Sequence, residues 1–306
     1  MNLPPARFSS IKPPGTASGA TRMKQALLSD PWGILGLVIV LIFFLMAAGV
    51  WLGWLGQDWA IADGGRWESA SSNHWFGTNV LGQDIFERAV YGSRTAFEIG
   101  LVVSLASTLL GGLFGALAGW RATSWIDDVV LWIMGVLDSI PFYLFVAALA
   151  YALQGFSFAM HLAMILTFWT TTARLIRAEV MRLKGQDFVK ASQAIGLPAW
   201  RIVIRHVLPN TMHILLVQGT LVFVAAVKTE VILSFLGLGV QDGVSWGLML
   251  AESTQEVIAG HFGNFIAASA FLFTFLLGLI LLSDAIQDAL EPKLAKRGQQ
   301  IAGVPA

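Results

Sequence analysis

The sequence predicts an all-α, polytopic membrane protein: a bundle of about six transmembrane helices with a polar helix-turn-helix between the fourth and fifth. Three observations carry that reading. Of 306 residues, 56% are hydrophobic and 12% charged, whereas soluble domains carry about 25% charged residues. The apolar residues gather into six long windows, and about 20 residues cross a bilayer. Lys and Arg are shared unevenly between the segments that join those windows.

Residues 1–30 are rich in Pro, Ser, Gly and Ala and carry Arg7, Lys12, Arg22 and Lys24. Such a composition buries no core, so a mobile tail is expected there. The first transmembrane helix is assigned to 31–55, where Asp30 offers an N-cap, Pro31 suits the first helical position and the apolar run goes from Trp32 to Trp54. A cleaved leader is disfavoured, because the run is long and starts late. Trp32, Trp51, Trp54 and Trp59 are expected to anchor its ends in the headgroups. Residues 56–93 form a loop on the far side. The core is assigned to 94–288, with apolar windows at about 96–120, 129–153, 157–173, 211–238 and 264–287, and residues 289–306 form a second tail. The window at 157–173 is the shortest.

Orientation follows from the cations. Fifteen Lys and Arg residues, in the two tails, at Arg121 and in the polar segment 174–210, fall on one side, against Arg66, Arg88 and Arg94 on the other. By the positive-inside rule both termini and the polar segment are cytoplasmic.

Several chemistries are excluded. There is no cysteine, so disulfides, thiolate catalysis and sulfur-ligated metals are out, and no metal site is expected. Formal charge is zero, with no basic surface or module for nucleic acid. No G-x-x-x-x-G-K-[ST] occurs, so the chain has no P-loop for ATP. Residues 243–247 spell G-x-S-x-G around Ser245, but the strand-to-helix context of a nucleophile elbow is missing. Gly111, Gly115 and Gly119 recur every four residues, which bares one helical face for close packing of another helix.

Ionisable residues inside spans cost about 2.5–3.5 kcal/mol near the bilayer centre and mark bundle interiors or solute paths. Asp138, Lys228, Glu230 and Asp284 qualify. Asp138 precedes Ser139-Ile140-Pro141, where a kink is expected; it either lines a path or pins helices together. Lys228 and Glu230 are two residues apart, so they point to different sides of one helix. Asp138, Lys228 and Glu230 are the candidate residues of a translocation path.

The polar segment carries the sharpest signal. A short helix is expected from an Asp187 cap to Gly196, then a second helix from Pro198 that stops at Pro209. It forms either a compact cytoplasmic knob or an amphipathic hairpin on the headgroups, held by Trp200, Arg201 and Ile202.

The knob resembles the EAA loop of permease subunits of bacterial ABC importers, with Gly196 at the motif's glycine and Leu208-Pro209 at its end. Over about residues 74–292 the chain is similar to the dipeptide and oligopeptide permease family. His74 to Asp84 resembles HxxGTDxLGRD, Arg205-His206-Val207-Leu208-Pro209-Asn210 resembles RHILPN, residues 233–239 read LSFLGLG, residues 245–247 read SWG, and Asp284 to Pro292 resembles GDxLRDxLDP. The resemblance implies a type I importer permease. Its partners would be a homologous permease, two P-loop ATPases that bind ATP and Mg, and an extracytoplasmic solute-binding protein. It implies an ATPase-coupling loop over Asp187, Lys190, Ala191, Ser192, Gly196, Arg201, Arg205, His206, Leu208 and Pro209. The chain itself would bind no cofactor and catalyse nothing. Departures are Lys190-Ala191-Ser192 for the EAA triplet, Lys228 at a usually apolar position, and no prolines between Gly239 and Ser245. The rival readings are a self-sufficient ion-coupled transporter, using the four intramembrane charges as a relay, and a membrane hydrolase using Ser245.

Overall fold

A computed structural model describes residues 30–153, 156, 158–239 and 243–290, so the two expected tails lie almost wholly outside the described residues. Everything described is helix or connection, without a strand among the described residues. Helix α1 spans Pro31–Trp51. Asp30 caps it, accepting from the backbone N–H groups of Trp32 at 3.1 Å and Gly33 at 3.0 Å. Trp59 is half-buried, its ring 5.0 Å from that of Tyr91.

Helix α2, Ile85–Trp120, starts eleven residues before the apolar window that predicted it, within the segment assigned to the loop. Glu87, Arg88 and Arg94 lower the hydropathy of its first turns, yet Asp84 caps it by accepting from Phe86 and Glu87. The third window is two helices, α3 (Trp125–Ser139) and α4 (Phe142–Ala152), bent by 93°. Pro141 at the break donates no hydrogen bond and holds Ile140 extended. Helix α5, Ala159–Lys184, continues well past the end of its window, so the first part of the polar segment is its own last three turns. Then come α6 (Asp187–Ala194), α7 (Ala199–Ile202), a π-helical turn (Val203–Val207) and α8 (Leu208–Phe235). Helix α9, Trp246–Ile258, lies where only a G-x-S-x-G string had been read; Ser245 is its N-cap, accepting from Leu248 at 3.2 Å. Helix α10 is Gly263–Leu290.

Helices α1, α2, the run Ala199–Phe235 and α10 are each long and apolar enough to cross a membrane, and the bent pair α3–α4 makes a fifth crossing if taken as one. Two seams hold them together. Gly111, Gly115 and Gly119 face α5 so closely that a Cβ on them would stand 2.5–2.7 Å from the carbonyl oxygens of Trp169, Ala173 and Arg177. The expected glycine face is therefore the α2–α5 contact. On the other side Phe43, Phe97, Phe223, Trp246 and Phe275 pack in mostly edge-on contacts, with ring centroids 5.2–6.3 Å apart. The indole of Trp246 is buried there and donates to the carbonyl of Ala89 at 2.9 Å, leaving no unpaired polar atom in the cluster.

Candidate functional site

The knob between α5 and α8 has its own small core. Ile176, Val180 and Leu183 of α5 pack with Val189 of α6, Ile202 of α7, Val207 and Ala116 of α2. Lys184 donates to the carbonyl of Trp120 at 2.8 Å, at the C-terminal end of α2 where a cation is favoured. The knob is thus fixed to two long helices.

Its turn matches the expectation for Gly196, which has φ +80. Around it Leu197 N–H donates to Ser192 C=O at 3.2 Å and Gly196 N–H to Gln193 C=O at 2.9 Å, the paired bonds of a Schellman motif. Two details differ from the sequence reading. Asp187 is not the cap: Gln186 holds that position without a side-chain bond, and Asp187 is the first helical residue, exposed and 4.0 Å from Lys190. An acidic side chain there answers the helix dipole instead. Nor does the second helix stop at Pro209. The π turn closes with Leu208 N–H on Val203 C=O, five residues back, which places Pro209 in the first turn of α8 where a missing N–H is tolerated. Asn210 Nδ2 then donates to His206 C=O at 2.6 Å. The knob and the spanning helix are one rod, Ala199–Phe235.

The knob's outer surface is apolar. Phe188, Ile195, Trp200 and Ile204 are exposed, Ile195 to 76%, beside the exposed Lys190, Ala191, Arg201 and Arg205. Ser192 is turned in, bonded to Phe188 C=O at 2.8 Å; His206 and Leu208 are half-buried.

The intramembrane candidates separate. Asp138, at the end of α3 and exposed, pairs with Arg174 of α5 and accepts from Thr170 at 3.3 Å. Lys228 and Glu230 lie on opposite sides of α8, as their spacing required. Glu230 is buried and accepts from Ser234 at 2.5 Å. Lys228 is exposed, with no ion pair among the described residues. Asp284 is exposed near the end of α10.

A family profile described as the binding-protein-dependent transport system inner membrane component matches residues 111–296. The chain belongs to that family. It is 36% identical over 228 residues to the dipeptide transport system permease protein DppC of Bacillus subtilis, covering 74% of this chain and 71% of the relative. The oligopeptide transport system permease protein OppC of the same organism is 33% identical over 282 residues, covering 89% and 90%. DppC of Alkalihalophilus pseudofirmus is 32% identical over 275 residues, covering 88% of each. This chain is therefore an ABC importer permease subunit of the dipeptide and oligopeptide group, and a multi-pass membrane protein.

In the permease, the stretch from His74 to Asp84 is a closed loop. His74 Nδ1 and Asp84 Oδ2 are 2.9 Å apart across its base, and Asn79 Oδ1 accepts from Leu81 and Gln83 inside it. Arg88 reaches Gln83 and, at 2.6 Å, Glu252 of α9, while Glu256 accepts from Val80 N–H at 2.8 Å. This buried network welds the loop to α9. Sequence reasoning missed it, as it missed the two-pronged pair of Arg177 with Asp127 at 2.6 and 2.8 Å, because partners 50 to 176 positions apart leave no local pattern. The bond to Asp84, reinforced by its charge, raises the His74 pKa above 6.5. Because the folded value exceeds the unfolded one, this contribution is full below pH 6.5 and fades as pH rises through the folded value. The His74 imidazole is expected to titrate above 6.5 by NMR and to fall back on Asp84→Asn; a wild-type value at or below 6.5 contradicts the contact.

Proposed function

We propose that the chain is the transmembrane subunit of an ATP-driven importer of peptides or related small solutes, working beside a homologous permease. The matched relatives carry dipeptide and oligopeptide names, which supports the solute class. In this reading α5 is the sixth span, both termini and the knob are cytoplasmic, and residues 1–30 and 289–306 are cytoplasmic tails. An extracytoplasmic binding protein delivers solute, and two cytoplasmic P-loop ATPases bind ATP and Mg and close on one another. Their closure reaches the bundle as rigid-body motion through the knob.

The observation that carries the reading is the knob itself: an exposed apolar tip on a polar segment, continuous with a 37-residue helix. Exposed apolar clusters rimmed by charge mark protein docking, and a continuous helix carries displacement without a joint. Asp138 and Lys228 are assigned to the wall of the solute path. Glu230, turned into the protein, holds Ser234 in place behind it. The ion-coupled alternative gains nothing from the geometry, since Asp138, Lys228, Glu230 and Asp284 share no bond among the described residues, and the hydrolase alternative gains nothing from Ser245, which is occupied as a cap.

The chain's lack of cysteine makes the test direct. A single Ile195→Cys in the assembled complex is expected to cross-link to an ATPase subunit and to react with an impermeant thiol reagent only in inside-out vesicles. Labelling from the outside, or cross-linking to lipid analogues alone, overturns the assignment.

A further inference from the structure

Lys228 is a cation without a carboxylate partner among the described residues, on a helix whose other charge is buried. Its depth can be read from the packing. Phe223 of α8 meets Phe97 of the oppositely directed α2 at 5.8 Å, and Trp246, whose indole reaches Ala89, packs in the layer above. Five residues beyond Phe223, Lys228 therefore stands near the level of residues 92–93, at the end of the bundle that bears the His74–Asp84 loop. In the proposed orientation that end is the outer mouth.

A groove opens on the same side. Phe235 lies seven residues after Lys228, two turns along one face of α8. With Leu250, Val257 and Phe265, among others, it lines an open cavity of about 470 Å³ between α8, α9 and α10. The groove's two hydroxyls are spent within α9: Ser253 donates to Leu250 C=O at 2.7 Å and Thr254 to Ala251 C=O at 2.7 Å. The cavity thus offers apolar surface, with a cation about 10 Å away along the helix axis.

We infer that this groove and Lys228 form a selectivity site at the outer mouth for solutes that carry a carboxylate and an apolar side group. The inference rests on the importer reading. The separation matches an extended peptide of two or three residues at about 3.5 Å each, with the terminal carboxylate on Lys228 and an apolar side chain in the groove. Cα–Cβ bonds tilt toward a helix N-terminus, which for α8 is the cytoplasmic end. That tilt turns Lys228 away from the outer headgroups.

The test is ATP-driven uptake by the full complex with its binding protein, comparing the tripeptide Ala-Phe-Ala with its C-terminal amide. Lys228→Met is expected to lower the acid-over-amide ratio of apparent affinities about tenfold, the scale of one charged hydrogen bond. Lys228→Arg should keep most of it. Filling the groove with Val257→Trp is expected to reduce the preference for Ala-Phe-Ala over Ala-Gly-Ala. An unchanged ratio in Lys228→Met, or an equal fall for acid and amide, overturns the site. So does a complex that assembles with Lys228→Arg and not with Lys228→Met, which assigns the charge to a subunit contact. If the wild-type complex hydrolyses ATP in response to the binding protein but takes up no peptide, the solute class falls. If it neither hydrolyses nor transports, the importer reading falls with it.

Discussion

Gly196→Val is expected to leave membrane insertion and permease pairing intact while reducing solute-stimulated ATP hydrolysis by tenfold or more. A Cβ at this position meets nothing within 4 Å, so the whole penalty is conformational. At φ +80 a side chain costs about 1–2 kcal/mol, and a β-branched one more. Helix α6 has only eight residues, too few to persist alone, and its two closing bonds depend on that conformation. Losing them releases the direction of α7 and of the rod beyond it. Gly196→Asn separates this cause from bulk, since asparagine enters the left-handed region readily and the site has room for it. The account expects near-native stimulation in Gly196→Asn and loss in Gly196→Val, read as hydrolysis in proteoliposomes. Equal behaviour of the two would show that the turn does not set the coupling.

Gly115→Leu is expected to abolish recovery of the folded permease, and Gly115→Ala to lower its thermal midpoint. The nearest atoms to an added Cβ are the carbonyl oxygen of Ala173 at 2.5 Å and the Cα of Ala173 at 3.0 Å. Backbone cannot rotate aside, so α2 and α5 must separate. Overpacking typically costs about 1–3 kcal/mol, and a seam of three such contacts offers no slack. Gly135→Ala is the control: a Cβ there meets nothing within 4 Å, and the midpoint is expected to hold. A stable Gly115→Leu would remove this seam from the account.

The contrast between the two glycines shows which features the sequence exposes. Spacing every four residues announced the α2–α5 face, and the position of Gly196 announced its turn, because both follow from local rules. Pro209 misled for the same reason. The rule that proline ends a helix is local, and the π turn that moves Pro209 into a first turn is visible only in the backbone. Helix α9 went unread because its polar residues Glu252, Ser253, Thr254, Gln255 and Glu256 interrupt the apolar run that marks a span. They make sense once Glu252 meets Arg88 and Glu256 meets Val80. Asp138 was legible as a residue that must be satisfied, and its partner Arg174 was not, since 36 positions separate them. Asp187 shows the limit of a cap signal: the residue type was right for a helix start, and the cap itself lies one residue earlier, on Gln186.

The central claim is that this chain moves solute only as part of an ATP-driven complex. Its most direct test is uptake of a labelled dipeptide into proteoliposomes, with the permease pair and its ATPases in the membrane, the binding protein outside and ATP within. The account predicts uptake that requires ATP and every component, with none by this chain alone under an imposed proton or sodium gradient. Gradient-driven uptake by the purified chain, without ATP, would contradict it.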